Sequence, residues 1–141
     1  MERGEKVSIT VETTVHAPVE KVWEYWTQPD HITKWSFASD DWHAPHAEND
    51  LRVGGAFTTR LEAKDGSFGF DFGGVYDEIQ THELIAYTLG DGRKVTITFH
   101  SLGNETKIVE VFEAESTHPI EQQQAGWQAF LDNFKKYIEQ S

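Results

Sequence analysis

The sequence predicts an α+β fold in which a strongly curved antiparallel sheet wraps around one long C-terminal helix. Three observations predict it. Runs of alternating apolar and polar residues are joined by tight-turn signals, the mark of a meandering sheet with one wet face. Ile120, Gln124, Trp127, Phe130, Leu131, Phe134, Tyr137 and Ile138 recur at three- and four-residue steps, which makes an amphipathic helix. The stripe on that helix has to be buried, and the apolar face of the sheet is the one surface large enough to receive it.

The elements follow in order. Val7, Ile9, Val11, Thr13 and Val15 alternate with polar residues and predict a half-buried first strand. Pro18 suits a first helical turn, where its missing N–H is not needed. Val19, Val22, Trp23 and Trp26 then share one stripe, Pro29 ends that helix, and HITKW predicts a short second one. Residues 36–50 are polar, contain a Pro and show no periodicity, so they read as a long loop of the kind that often carries function. Strands are expected from Val53 to Ala63, Phe68 to Ile79, Leu84 to Leu89, Val95 to Phe99 and Lys107 to Ala114. Asp65–Gly66, Asp91–Gly92 and Gly103–Asn104 supply the turns between them. The helix starts after Pro119. With no repeat and no linker, residues 1–141 are expected to form a single domain, with a disordered start at Met1 to Glu5.

Composition narrows the function classes. The 141 residues carry a net charge of −12, which disfavours nucleic acid and an anionic membrane surface. The absence of cysteine removes disulfides, thiolate nucleophiles and Cys-type zinc sites. No secretory signal and no run of about 20 apolar residues is present, so a soluble cytoplasmic protein without membrane insertion is expected. Aromatic residues make up 13%, so much of the apolar surface is flat rings that can fill a core or line a pocket.

APVEKVWEYWTQPDHITKW, DLRVGGAF, GGVYDEI with ELIAYT, and GWQAFLDNF together resemble the activator-of-heat-shock-protein-ATPase-like family. That family lies in the START-like (helix-grip, SRPBCC) superfamily, also called the polyketide cyclase/lipid transport group. The resemblance runs from Val7 to Ile138. It implies the helix-grip fold, with a cavity between sheet and helix. For function it implies a range: binding of lipids, hormones or polyketides, cyclase or hydrolase activity, or stimulation of a chaperone ATPase. No catalytic signature spans the group, and no catalytic residue is carried over.

FGFDFGG sets Phe68, Phe70 and Phe72 on alternate positions. The glycines between and after them allow a sheet to bend. If the rings face inward, they meet Trp127, Phe130 and Phe134 of the last helix. If they face outward, they form an exposed patch that marks a partner surface. The inward arrangement itself allows a solid core, each Phe contributing roughly 1.5–3 kcal/mol, or a ligand cavity. Pockets combine apolar walls with a few placed polar groups. Arg60, Tyr76, Tyr87, Thr98 and His100 from strands and Asp40, Trp42 and His43 from the loop are the polar candidates. The expected ligand-binding set is Trp35, Trp42, Phe57, Arg60, Phe68, Phe70, Phe72, Tyr87, Phe99, Trp127, Phe130 and Phe134. Trp35 is expected to cap the cavity mouth or to plug it, and Trp42 to serve as lid or as packing.

Other patterns carry less. His43 and His46, with Asp40 and Asp41 before them, have ligand types suited to a metal, but solvated loop residues explain them more simply. Asp50 and Arg52 read as a structural polar pair. No nucleophile elbow, P-loop or dinucleotide fingerprint occurs. The expectation is a binder of an apolar or aromatic, lipid-like or polyketide-like molecule, with no metal, no cofactor and no asserted enzyme activity. The alternatives are a co-chaperone or stress-response module acting on a protein partner such as a chaperone, and a cyclase or hydrolase in the same cavity.

Overall fold

The structure, a computed structural model, describes residues 7–37 and 39–140; the expected disordered start, Met1 to Glu5, lies outside the described residues. Strand β1 (Ser8–Val15) is followed by helices α1 (Val19–Thr27) and α2 (Pro29–Trp35). Six strands follow: β2 (Trp42–Asn49), β3 (Ala56–Ala63), β4 (Gly69–Gln80), β5 (Leu84–Leu89), β6 (Lys94–Ser101) and β7 (Thr106–Glu113). Helix α3 (Ile120–Glu139) closes the chain. The strands form one antiparallel sheet in the order β1-β7-β6-β5-β4-β3-β2. β1 and β2 are therefore its two edges, and α1 and α2 carry the chain from one to the other.

The long loop expected over residues 36–50 is a correction. Its second half is β2, paired with β3 from Trp42↔Ala63 to Asn49↔Phe57. Pro45 hid it, because proline cannot donate to a ladder. Here the strand lies at the sheet edge, and its register shifts between His43 and His46, around the proline. Pro29 is a smaller correction: it opens α2 rather than merely ending α1.

Alternation fixes the inner face of the sheet. Ile9, Val11 and Val15 of β1, Val95, Ile97 and Phe99 of β6, and Ile108 and Phe112 of β7 are buried. The stripe of α3 meets them with Leu131, Phe134 and Ile138. The Trp127 ring stacks on Phe112 at 3.9 Å between centroids. Phe134 takes Trp26 and Trp35 edge-on at 5.0 and 4.9 Å. Such pairs add roughly 0.5–1.5 kcal/mol beyond their burial.

The polar side of α3 has its own task, because β1 is an edge strand with unpaired backbone groups. Gln124 Nε2 donates to the Thr10 carbonyl at 3.2 Å. Gln128 Nε2 donates to the Glu12 carbonyl at 3.0 Å, and its Oε1 accepts from the Glu12 N–H at 3.4 Å. Lys135 Nζ donates to the Thr14 carbonyl at 2.7 Å. Glu139 accepts from the His16 N–H at 2.8 Å. Residues 124, 128, 135 and 139 fall on one helical stripe, so α3 lies along β1 as a polar substitute for the missing strand.

Backbone from both neighbouring strands comes close to β4 at Gly73 and Gly74. A Cβ at Gly73 would press on the Phe57 carbonyl oxygen of β3, and one at Gly74 on the Thr88 carbonyl oxygen of β5. Backbone lies on both sides, and neither neighbour can rotate away. Gly74→Ala is therefore expected to cost about 1–3 kcal/mol in urea unfolding. Gly69→Ala, whose Cβ meets the flexible end of Arg60 at 2.7 Å, is expected to stay within about 1 kcal/mol of the parent. Equal losses in the two variants would contradict this account of the close approach.

Candidate functional site

Helix α3 leaves part of the hollow uncovered. Between it and the strands β3, β4 and β5 lies a cavity of about 310 Å³, at the lower end of the range of small-molecule pockets. The helix side is Trp127 and Phe130; the sheet side includes Phe57, Phe72 and Tyr87. Trp26, Ile32 and Trp35 close it from α1 and α2. These walls follow from the strand period: Phe57, Thr59 and Leu61 of β3 and Phe70, Phe72 and Tyr76 of β4 are the inward positions.

Trp35, Phe57, Phe70, Phe72, Tyr87, Trp127 and Phe130 are thus brought together at the cavity. Trp35 is 5% exposed and fixed by its indole N–H to the Tyr25 carbonyl at 2.9 Å. It is an inner wall rather than a cap at the mouth. Phe70 is 40% exposed and stands at the rim.

The other five expected residues lie elsewhere. Arg60 sits on the outer face, because its neighbours Thr59 and Leu61 take the inward positions; it pairs with Glu62 at 2.9 Å and Asp71 at 3.5 Å. Phe68 precedes β4, is 61% exposed and meets Trp42 and Phe70 at 6.0 and 5.9 Å. Trp42 opens β2 and packs with those two rings outside the cavity wall. Phe99 is buried against Trp23 and Trp26 at 5.4 and 5.8 Å, and Phe134 is fully buried. Both are core. Asp40, Thr98 and His100 also lie off the cavity, while His43 pairs with Glu62 at 3.8 Å and His46 with Glu48 at 2.9 Å. Among the described residues, no three His, Asp or Glu side chains gather to hold a metal ion. Arg52 donates to both carboxylate oxygens of Asp50 at 3.0 and 2.9 Å, the structural pair expected.

Among the polar wall residues that escaped the sequence reading are Asn49, Arg93 and Glu110. Asn49 was assigned to the loop. Its Oδ1 accepts from the Tyr76 hydroxyl at 2.5 Å, and its Nδ2 donates to the Thr27 carbonyl at 2.6 Å, tying β4 to the end of α1. Burial pushes the Tyr76 hydroxyl well above the usual tyrosine range. Arg93 is held by Asp91 at 2.8 Å and by the Glu113 carbonyl at 3.4 Å. Glu110 is the exception to the pattern of β7, whose inward positions are otherwise Thr106, Ile108 and Phe112. It is 5% exposed, and among the described residues nothing hydrogen-bonds its carboxyl. Burial pushes its pKa up to about 8. Tyr87, also fully inside, is raised by burial first and by the neighbouring Glu110 second. The signal for Glu110 was present: a charged residue on the inward phase of an alternating strand.

A family model described as "Activator of Hsp90 ATPase homolog 1-like protein" matches residues 16–139. Among solved structures, an AHSA1-like protein from Aeromonas hydrophila is similar at 42% identity and TM-score 0.90, covering 95% of this chain and 93% of its own. A protein from Cytophaga hutchinsonii is similar at 59% identity and TM-score 0.82, covering 94% and 92%. One from Chromobacterium violaceum has 27% identity and TM-score 0.83, covering 94% and 96%. Among curated proteins, none matches. No helix of the described residues is long and apolar enough to cross a membrane.

The buried carboxyl ties stability to pH. In the unfolded chain it ionises near 4.5; in the fold it stays protonated to about 8. Its contribution is complete below the lower value and is lost as pH rises through the upper one. By pH 8 the loss is on the order of 4 kcal/mol. Glu110→Met is expected to raise the melting temperature at pH 8 well above that of the parent and to change it far less at pH 5. An equal effect at both pH values would contradict a protonated Glu110.

Proposed function

The chain belongs to the Activator of Hsp90 ATPase homolog 1-like family, and we propose that within it this protein binds an apolar or aromatic small molecule, lipid-like or polyketide-like, between its curved sheet and α3. The observation that carries this reading is the cavity of about 310 Å³ with rings from six separate elements on its walls. A core selected for stability alone would be filled, because close packing adds dispersion contacts that a void forfeits. The binding residues are Trp35, Phe57, Phe70, Phe72, Tyr87, Trp127 and Phe130, with Trp26, Leu61 and Ile85 completing the apolar surface. Trp42 and Phe68 are not wall residues; with Phe70 they form an aromatic cluster at the rim, where a longer ligand would extend.

A second reading draws on the family's name and on the net charge of −12. An acidic outer surface would steer the protein to a basic patch on a partner such as a chaperone. That reading needs no cavity, so filling the cavity separates the two.

Thr59 is buried on the inner face and lines the space. Thr59→Phe puts a ring into it. Tryptophan fluorescence should report binding of a neutral naphthalene to the parent protein and a loss of at least about tenfold in affinity for the variant, with the melting temperature little changed. Unaltered naphthalene binding in a folded Thr59→Phe protein would remove the cavity as the binding site. Chaperone ATPase stimulation that survives the substitution would favour the second reading.

A further inference from the structure

Glu110 and Tyr87 are buried polar groups of the cavity wall whose side chains hydrogen-bond to no described residue. Glu110 projects from β7 with Ile108 and Phe112 beside it on the strand and Val11 and Ile97 opposite it. The Tyr87 hydroxyl, on β5, has no hydrogen bond to any described residue, although its neighbour Tyr76 is satisfied by Asn49. Buried polar groups are paired in nearly all native structures, and an unpaired one is destabilising. Both groups line the same space, and the carboxyl is close enough to act on the tyrosine hydroxyl. Replacing Glu110 with an apolar residue would relieve that cost, so its presence calls for something outside the protein to complete it.

We propose that Glu110 and Tyr87 act together as hydrogen-bond donors to one acceptor oxygen of the cavity's ligand, and that the ligand is a neutral, flat molecule bearing a carbonyl group. This rests on the cavity-binding reading and adds the chemistry of its polar end. The carboxyl is protonated at neutral pH, so it donates one O–H. Tyr87, whose ionisation is suppressed, donates another. Two donors on the wall of one apolar enclosure suit an acceptor, since the low dielectric strengthens a hydrogen bond made there. The same pairing of a tyrosine with a neutral carboxylic acid in an apolar site is known elsewhere as a device for gripping a ketone oxygen.

The remaining charged and titratable groups of the wall fit this choice. Arg93, at the turn into β6, is positively charged and opposes a cationic ligand, although Asp91 partly neutralises it. Tyr76 of β4 is engaged by Asn49. Glu48 of β2 is turned to His46. The faces offered by β1 and α3 are Val11, Trp127 and Phe130, which carry no charge.

The test compares 2-acetylnaphthalene with 2-ethylnaphthalene, which have the same ring system with and without the oxygen, by calorimetric titration of the full chain. At pH 6.5 the ketone should bind about tenfold more tightly than the hydrocarbon. Its affinity should fall at least about fivefold by pH 9, as the carboxyl ionises, while that of the hydrocarbon stays flat. Glu110→Gln, which still donates but does not titrate, should keep the preference and lose the pH dependence. Glu110→Met should reduce the preference and lose its pH dependence, its hydrocarbon binding showing that the fold and cavity are intact. Tyr87→Phe should reduce the preference without abolishing it. Equal binding of the two probes to the parent at pH 6.5 would overturn the donor pair and leave the cavity reading standing. Failure of both to bind would overturn the two together. Tighter binding of 1-(2-naphthyl)ethylamine than of the ketone, strengthening as pH rises, would overturn the donor pair in favour of a carboxylate that receives a cation.

Discussion

Helix α3 is fastened to the free edge of the sheet by its own polar side chains, and the position this imposes governs the rest of the molecule. Gln124, Gln128, Lys135 and Glu139 occupy the backbone groups of β1 from Thr10 to His16. The opposite stripe is then committed to the inner face of β1, β6 and β7. An α-helix with its side chains is only about 10–12 Å across. Seven curved strands enclose more width than that, so a helix drawn to one edge leaves the hollow under β3, β4 and β5 to be filled from elsewhere. α1 and α2 fill some of it with Trp26, Ile32 and Trp35. The rest is the cavity.

The chemistry of the walls follows from the same geometry. Inward positions near α3 are buried outright and are mostly aliphatic or aromatic, Thr106 and Glu110 of β7 being polar exceptions. Inward positions beyond it face open space, and there the chain tolerates polar groups that a packed core would reject. Tyr76 and Asn49 are satisfied within the protein and brace the wall. Glu110 and Tyr87 have no hydrogen-bond partner among the described residues, and burial keeps the carboxyl in its neutral form to about pH 8. A protein maximised for stability would place an apolar residue at position 110. The cost accepted there is an argument for use rather than for folding.

Much of the fold was legible in the sequence because its signals are periodic. The alternation in β1 and β6, the Asp-Gly turns and the stripe of α3 appear in the structure where the residues suggested. β2 was not legible, because an edge strand containing Pro45 and a register shift carries neither a clean period nor strong β-formers; what makes it a strand is pairing with β3. The site was legible only in part. Phase along a strand puts Phe70 and Phe72 on one face but leaves open which face it is; pairing with Leu61 and Thr59 of β3 turns them toward the cavity. Arg60 was misjudged because its polarity outweighed its phase: it alternates with Thr59 and Leu61 and must point outward. Phe99 and Phe134 show the other limit. They share the inner face with the wall residues, and only the lateral position of α3 decides which inward rings are core and which border space. Nothing local in the sequence encodes that position.

The claim beneath all of this is that open, ring-walled room persists beside α3. A crystal of the protein pressurised under xenon tests it directly, because xenon enters apolar voids without requiring a specific ligand. The account predicts xenon density bounded by Phe72, Tyr87 and Trp127, with those side chains unmoved. Phe130 and Trp127 collapsed onto the sheet, with no xenon between them and Phe72, would contradict it.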